Sequence, residues 1–200
     1  MRRLWYAAAA LTLTSALTVG IGGPAHAYCS TPYKWTTPSA VKVRNGAGIP
    51  TPWDAILTAS AGQWSGISGS TFRMTAVARN FNGPIYGGSV THGASSSHRP
   101  EAPGVTLISR NGNTITSVRT IFNPRWHFND TGSFNQSSNP PRADVRTVLV
   151  HELGHWLVLN HPSACAGAMT ASEKASSMNP NFTKKWNTNA DDKAGAAAKY

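Results

Sequence analysis

Residues 144–162, DVRTVLVHELGHWLVLNHP, form the stretch that decides the fold of this chain. Apolar residues recur at helical spacing after Asp144, which has the position of an N-cap, so we expect a helix that begins there. His151 and His155 are four residues apart, which places both imidazoles on one face of the helix, one turn apart. Two such imidazoles can bind one zinc ion at about 2.0 to 2.1 Å. The segment therefore predicts a metal-binding helix.

Glu152 lies beside these histidines and is not itself an expected ligand. A metal lowers the pKa of a bound water toward roughly 7, and a neighbouring carboxylate can then accept a proton from that water. The same carboxylate can deliver the proton to a leaving amine. The sequence therefore predicts Glu152 as the general base in a metal-assisted hydrolysis.

His161 is the predicted third metal ligand. It cannot reach the metal from an unbroken helix, because six further residues carry it about 9 Å along the axis and to about 240° around it. The helix must bend first. Such a turn needs a residue with positive φ, for which Asn160 is available, and Pro162 prevents the helix from resuming. The alternative is a carboxylate as third ligand, and Glu173 is the candidate, although its segment has little predicted structure.

The segments around this helix alternate between strand and helix patterns. Apolar residues recur at helical spacing from Trp53 to about position 65 and predict a second helix, and the C-terminal residues from Asp191 predict a short closing helix. The hairpin signal Asn111-Gly112 separates two of the expected strands. Strands are expected at 41–43, 71–77, 105–108 and 115–122, and loops at 80–103 and 129–141. Residues 162–189 form a polar stretch of small residues for which no helix is expected. The predicted fold class is α/β with three helices.

Residues 1–27 have the pattern of a secretory signal peptide. Two arginines precede an apolar stretch that ends with small residues before the expected cleavage site after Ala27. We therefore expect a secreted, extracellular protein with a single domain over residues 28–200. No later stretch approaches the roughly 18 consecutive apolar residues of a membrane helix, so no membrane partner is expected.

The chain is basic, with 18 Lys plus Arg against 8 Asp plus Glu and a formal charge of +10. The cations are dispersed and form neither a run nor a stripe interleaved with aromatic residues, so no nucleic-acid partner is expected. The protein is expected to be a monomer. In an exported protein the two cysteines, Cys29 and Cys165, are expected to form a disulfide.

The motif His151-Glu152-Leu-Gly-His155 with His161 resembles HExxHxxGxxH of the metzincin metallopeptidases, and nearly all of the chain after the signal peptide resembles a matrixin-type catalytic domain. The resemblance implies a metzincin-like twisted mixed sheet with a long active-site helix, a second packing helix and a short C-terminal helix. It implies one catalytic zinc on the three histidines and hydrolysis of peptide bonds with Glu152 as base. The implied substrate is a protein or peptide whose backbone lies along an exposed edge strand, expected within residues 115–122.

The chain departs from the family motif at Val158, where the family has glycine. A β-branched residue in a left-handed conformation costs about 1 to 2 kcal/mol or more, so the bend falls either on Val158 under strain or on Asn160. The family also has a methionine turn beneath the metal. Met178, in its Ser-Met-Asn-Pro context, is the expected residue, and Met169 is the rival.

Metzincins of this type often bind additional structural zinc or calcium ions. Here His92, His98 and His127 lack the nearby aspartates that would make such sites obvious, so each is expected to be an ordinary loop histidine. One catalytic zinc ion is expected, and the sequence gives no support for additional structural zinc or calcium ions.

A protein of a different class would also fit part of the pattern. A secreted surface or cell-wall binding module with a non-catalytic zinc site would agree with the basic charge. Structural zinc sites, however, normally have four protein ligands, whereas catalytic sites keep one position open. Three histidines without a fourth protein ligand therefore favour the enzyme.

Overall fold

The computed structural model describes residues 31–92, 101–165 and 167–200. In these ranges the chain forms seven strands and four α-helices. The strands are β1 (Val41–Asn45), β2 (Met74–Ala76), β3 (Ser89–His92), β4 (Gly104–Asn111), β5 (Thr114–Phe122), β6 (His127–Asn129) and β7 (Arg142–Asp144). The helices are α1 (Trp53–Gly62), α2 (Val145–Trp156), α3 (Ala171–Ala175) and α4 (Ala190–Lys199).

Five of the strands form one mixed sheet in the order β2-β1-β3-β5-β4. The first four of these are parallel to one another, and β4 runs antiparallel to β5. A turn with φ of 55° at Gly112 joins β4 to β5, as the hairpin signal predicted. Strands β6 and β7 form a separate parallel pair. The predicted α/β class and the mixed sheet are confirmed.

Helices α1 and α2 contact each other; α1 packs on β1 and β2, and α2 packs on β4 and β5. Three buried tryptophans connect these layers. The indole N–H of Trp64 donates to the backbone oxygen of Val150, and that of Trp35 donates to the backbone oxygen of Trp156. The indole of Trp156 donates to Thr120 in β5. Each indole thus contributes a large apolar surface and still satisfies its one donor, which fixes α2 against the sheet.

Three sequence expectations need correction. The segment 115–122, expected at the edge of the sheet, is interior, because β5 is paired with β3 on one side and β4 on the other. The edge strands of the described sheet are β2 and β4, and β4 is the edge strand beside β5. The expected loop at 80–103 includes β3, where Val90 is fully buried. The polar stretch at 162–189, for which no helix was expected, includes α3, which Thr170 caps. β3 forms because it pairs with β1 and β5, which are distant in sequence. α3 forms because a local capping box begins it.

Several predictions fall on residues outside the described ranges. The signal peptide, Cys29 and His98 lie there, so the cleavage site and the disulfide stay predictions. Cys165 is described and is not a free thiol. Among the described helices, none combines the length and apolar character needed to cross a membrane.

Candidate active site

The start of α2 is fixed by the buried carboxylate of Asp144, as predicted. One of its oxygens accepts hydrogen bonds from the backbone N–H and the hydroxyl of Thr147, at 2.7 and 2.6 Å, and from the indole of Trp186 at 2.8 Å. The other accepts from the backbone N–H of Gly132 at 2.7 Å. The bond from the backbone N–H of Thr147 satisfies a donor that the first turn of a helix leaves unpaired. The register of the histidines in α2 is therefore set from its first residue.

The end of α2 is a bend centred on Val158, which has a φ of 63°. The backbone N–H of Leu159 donates to the oxygen of Gly154 and that of Val158 donates to the oxygen of His155. These two bonds form a Schellman motif, in which the residue after the C-cap adopts the left-handed conformation. The bend thus lies at the family's glycine position and not at Asn160.

After this bend the three histidines converge. The Nε2 atom of His161 is 3.0 Å from Nε2 of His151 and 3.2 Å from Nε2 of His155. Nδ1 of His151 is 2.8 Å from the carbonyl oxygen of Ser177, and Nδ1 of His155 is 2.7 Å from that of Leu159. A carbonyl oxygen only accepts hydrogen bonds, so both Nδ1 atoms carry the proton and both Nε2 atoms present lone pairs.

This arrangement fits a zinc ion. Tetrahedral zinc with nitrogen ligands at about 2.0 to 2.1 Å places those nitrogens about 3.3 Å apart, close to the observed Nε2 separations. Burial, together with the neighbouring His155 and His161, holds the pKa of His151 well below its ordinary value. The neutral imidazole that results is the form that binds metals. In the described ranges, His151, His155 and His161 are the one group of three or more His, Cys, Asp or Glu residues whose ligand atoms lie within 4.8 Å of one another.

A turn at Met178 is connected by hydrogen bonds to His151 of the triad. Its backbone N–H donates to the hydroxyl of Ser176, which donates to Asp192 in α4, and Asp192 also accepts the backbone N–H of Ser177. The carbonyl of Ser177 in turn accepts the Nδ1 proton of His151. Met178 is 1% exposed, and its sulfur lies so close to Gly154 that no side chain fits there. Met178 and not Met169, which is half-buried, therefore occupies the turn.

Glu152 is 5% exposed and is held by a chain of hydrogen bonds from the sheet. The Trp156 indole donates to Thr120 at 3.0 Å, the hydroxyls of Thr120 and Thr106 are 2.9 Å apart, and Thr106 donates to Oε2 of Glu152 at 2.6 Å. An indole only donates and a carboxylate only accepts, so the protons run in one direction along this chain. Burial raises the pKa of Glu152 to about 7, and the bond from Thr106 opposes that rise.

The triad and Glu152 border a cavity of about 430 Å³. One wall is the start of β4, where Gly104 allows close approach: a Cβ there would lie 2.9 Å from Val148 and 3.1 Å from Glu152. Residues between Ser177 and Lys185 form another part of the lining. Sequence reasoning missed Gly104, Thr106 and Lys185, because each reaches the site through a pairing distant in sequence.

Glu173, the alternative third ligand, is not brought to the triad. Its carboxylate accepts the backbone N–H of Thr170 at 2.6 Å and completes the capping box of α3. His92 and His127 are also remote from the triad and line a separate cavity.

Comparison with known proteins agrees with the sequence motif. The matrixin family model matches residues 110–200, a span that includes α2, its bend, the Met178 turn and α4. A comparison with curated proteins gives no match. Over that span, and in the spacing of its histidine triad, the chain is similar to the matrixin metallopeptidases.

Proposed function

We propose that the protein is a secreted, zinc-dependent endopeptidase in which Glu152 is the general base. The observation that carries the proposal is the position of Glu152 in one cavity with three histidines whose Nε2 atoms converge. Three protein ligands leave a coordination position for a reactant, which is the arrangement of catalytic rather than structural zinc sites.

His151, His155 and His161 would hold the ion. When bound, zinc supplies Lewis acidity, which polarises a peptide carbonyl and makes a water molecule acidic near neutral pH. The carbonyls of Ser177 and Leu159 keep the two helical imidazoles in the tautomer that presents Nε2. Such outer hydrogen bonds orient the rings and increase their basicity.

Glu152 moves the proton. Its carboxylate accepts a proton from the attacking water and transfers it to the nitrogen of the leaving amine, so that the amine departs neutral. Thr106 fixes Oε2 of this carboxylate, so the side chain does not have to be ordered during the reaction. Burial keeps the proton affinity of Glu152 high enough for the group to act both as base and as acid.

The edge of the sheet supports binding of an extended peptide. β4 has eight residues and, within the described part of the sheet, pairs only with β5. Its first residues border the cavity that contains Glu152. An extended substrate can add to such an edge through backbone hydrogen bonds and extend beyond the reactive centre in both directions. That geometry favours cleavage within a chain over removal of terminal residues.

Secretion is supported by the pattern of residues 1–27. Expression in a secreting bacterial host, followed by intact-mass analysis of the medium, should give a protein that begins at Tyr28. A product retained in the cells with Met1 present would refute this part of the proposal.

The activity is tested by incubating the purified protein with unfolded casein and sequencing the cut ends. We expect internal cuts that stop when a chelator removes the zinc and return when zinc is restored. Stoichiometric zinc without chelator-sensitive cleavage of casein would overturn the proposal. That result would instead favour a surface or cell-wall binding module with a non-catalytic zinc site.

A further inference from the structure

Lys185 is a buried cation in the wall of the active-site cavity. Only 9% of the surface of this residue is exposed to solvent. Its ammonium group donates to the backbone oxygen of Asn179 at 2.6 Å and to the side-chain oxygen of Asn181. Lys185, Asn179 and Asn181 all line the cavity that contains the triad. The ammonium group is therefore bonded to two residues of the cavity wall, and these bonds use two of its three protons.

No carboxylate of the described residues forms an ion pair with this ammonium group. Within the described ranges the one salt bridge is between Arg79 and Asp54. Lysine is almost never fully buried unless it is paired, because removing an ammonium group from water is costly. In agreement, burial lowers the pKa of Lys185 to about 8, and the charge of Asp192 only partly opposes that change.

The cavity wall near Lys185 is largely apolar. Val148 from α2, Phe134, Pro180 and Phe182 line it. Such surroundings exclude water and lower the local dielectric, so one fixed positive charge acts strongly on any charged group that enters. A carboxylate would gain an ion pair there, whereas an amide of the same shape would gain only a hydrogen bond and a second cation would be repelled.

We propose that Lys185 is a specificity-determining residue that selects substrates with an acidic side chain, Glu or Asp, at the position that enters this cavity. The inference rests on the proposed peptidase function and gives that function a substrate class. The selectivity arises from charge, so it distinguishes glutamate from glutamine, which has nearly the same shape.

The test uses paired peptides that differ only by Glu or Gln, placed in turn at each position near the cleaved bond. At one position the wild-type protein should cleave the Glu peptide with a kcat/KM at least about tenfold higher than the Gln peptide. In Lys185→Gln this ratio should fall to about one. Lys184→Gln is the matched control, because Lys184 loses the same charge but is exposed and lies over the ring of Trp186. An unchanged ratio in Lys185→Gln would overturn the proposal.

A second measurement needs no variant and so does not depend on whether Lys185→Gln folds. In the wild-type protein the Glu to Gln ratio should decline as the pH rises through about 8, because kcat/KM reports the free enzyme and Lys185 loses its charge there. The Gln peptide serves as the internal reference, since the catalytic groups affect both peptides equally. A ratio that stays constant from pH 7 to pH 10 would contradict the proposal.

Direct binding separates this proposal from the proposed function. In Glu152→Gln, loaded with zinc, calorimetry should show tighter binding of the Glu peptide than of the Gln peptide. If the Glu peptide binds more tightly but the wild-type protein hydrolyses neither peptide, the proposed peptidase function is refuted and the proposed role of Lys185 is retained. Hydrolysis of both peptides at equal rates, with equal binding, would remove the role of Lys185 and keep the peptidase function.

Discussion

Two cavities of similar volume, about 430 and about 480 Å³, contain histidines, and only the first brings them together. The first holds the triad and Glu152. The second is lined by His92 and His127 together with aromatic and proline side chains, among them Trp53 and Trp126. The available space therefore does not account for the difference.

The difference lies in how the backbone delivers the side chains. His151 and His155 belong to one helix, and a single bend of defined geometry brings His161 back to them. His92 ends β3 and His127 begins β6, and these strands belong to different sheets. A metal site arises where short-range covalent spacing fixes the ligands and backbone carbonyls fix their tautomers.

The largest expected effect is on zinc affinity, and it is tested by replacing one histidine from each cavity. His161→Ala should weaken zinc binding by more than about a hundredfold, since it removes one of three proposed ligands, whereas His127→Ala should leave it unchanged. Competition for zinc with a chromophoric chelator measures both affinities. Equal losses in the two variants would mean that the second cavity takes part in the metal site.

A smaller effect is expected from removing the support of the triad. Asp192→Ala deletes the acceptor of the Ser177 backbone N–H, and Ser177 in turn accepts the Nδ1 proton of His151. We expect zinc affinity to fall by about 10- to 100-fold, the range found for outer hydrogen-bond partners. Asp130→Ala, at an exposed aspartate, is the control. Normal zinc affinity in a folded Asp192→Ala protein would show that the carbonyl of Ser177 needs no such support.

The smallest effect concerns the bend. Val158 is buried at a φ of 63°, so alanine there loses the side chain but keeps the strained conformation, whereas glycine relieves it. Val158→Gly should therefore be more stable than Val158→Ala by about 1 kcal/mol in urea unfolding at fixed zinc concentration. At Val150, inside α2, the alanine variant should instead be more stable than the glycine variant by about 1 kcal/mol. The same order at both positions would contradict a strained bend.

The sequence could predict what local spacing determines. The start of α2 at Asp144, the common face of His151 and His155, and the need for a bend before His161 all follow from residues close together in the chain. The sequence did not decide whether the bend falls at Val158 or at Asn160, because only the full backbone shows which residue takes the positive φ.

The sequence could not predict what distant pairing determines. Thr106 reaches Glu152 only because the β4–β5 hairpin packs on α2. Lys185 reaches the cavity because its segment is bonded to α2, where its backbone N–H donates to the hydroxyl of Thr147. The edge strand was predicted wrongly for the same reason. Periodicity marks 115–122 as a strand but carries no information about its neighbours.

The central claim is that the histidines hold the metal and Glu152 performs the chemistry, and Glu152→Gln separates the two. The substitution keeps the size of the side chain and its ability to accept the Thr106 hydrogen bond but removes the base. We predict that the variant keeps its fold and its zinc while casein hydrolysis falls at least about a hundredfold. A variant that retains zinc and the full rate would contradict the mechanism, and a variant that loses zinc would show Glu152 to be a metal ligand.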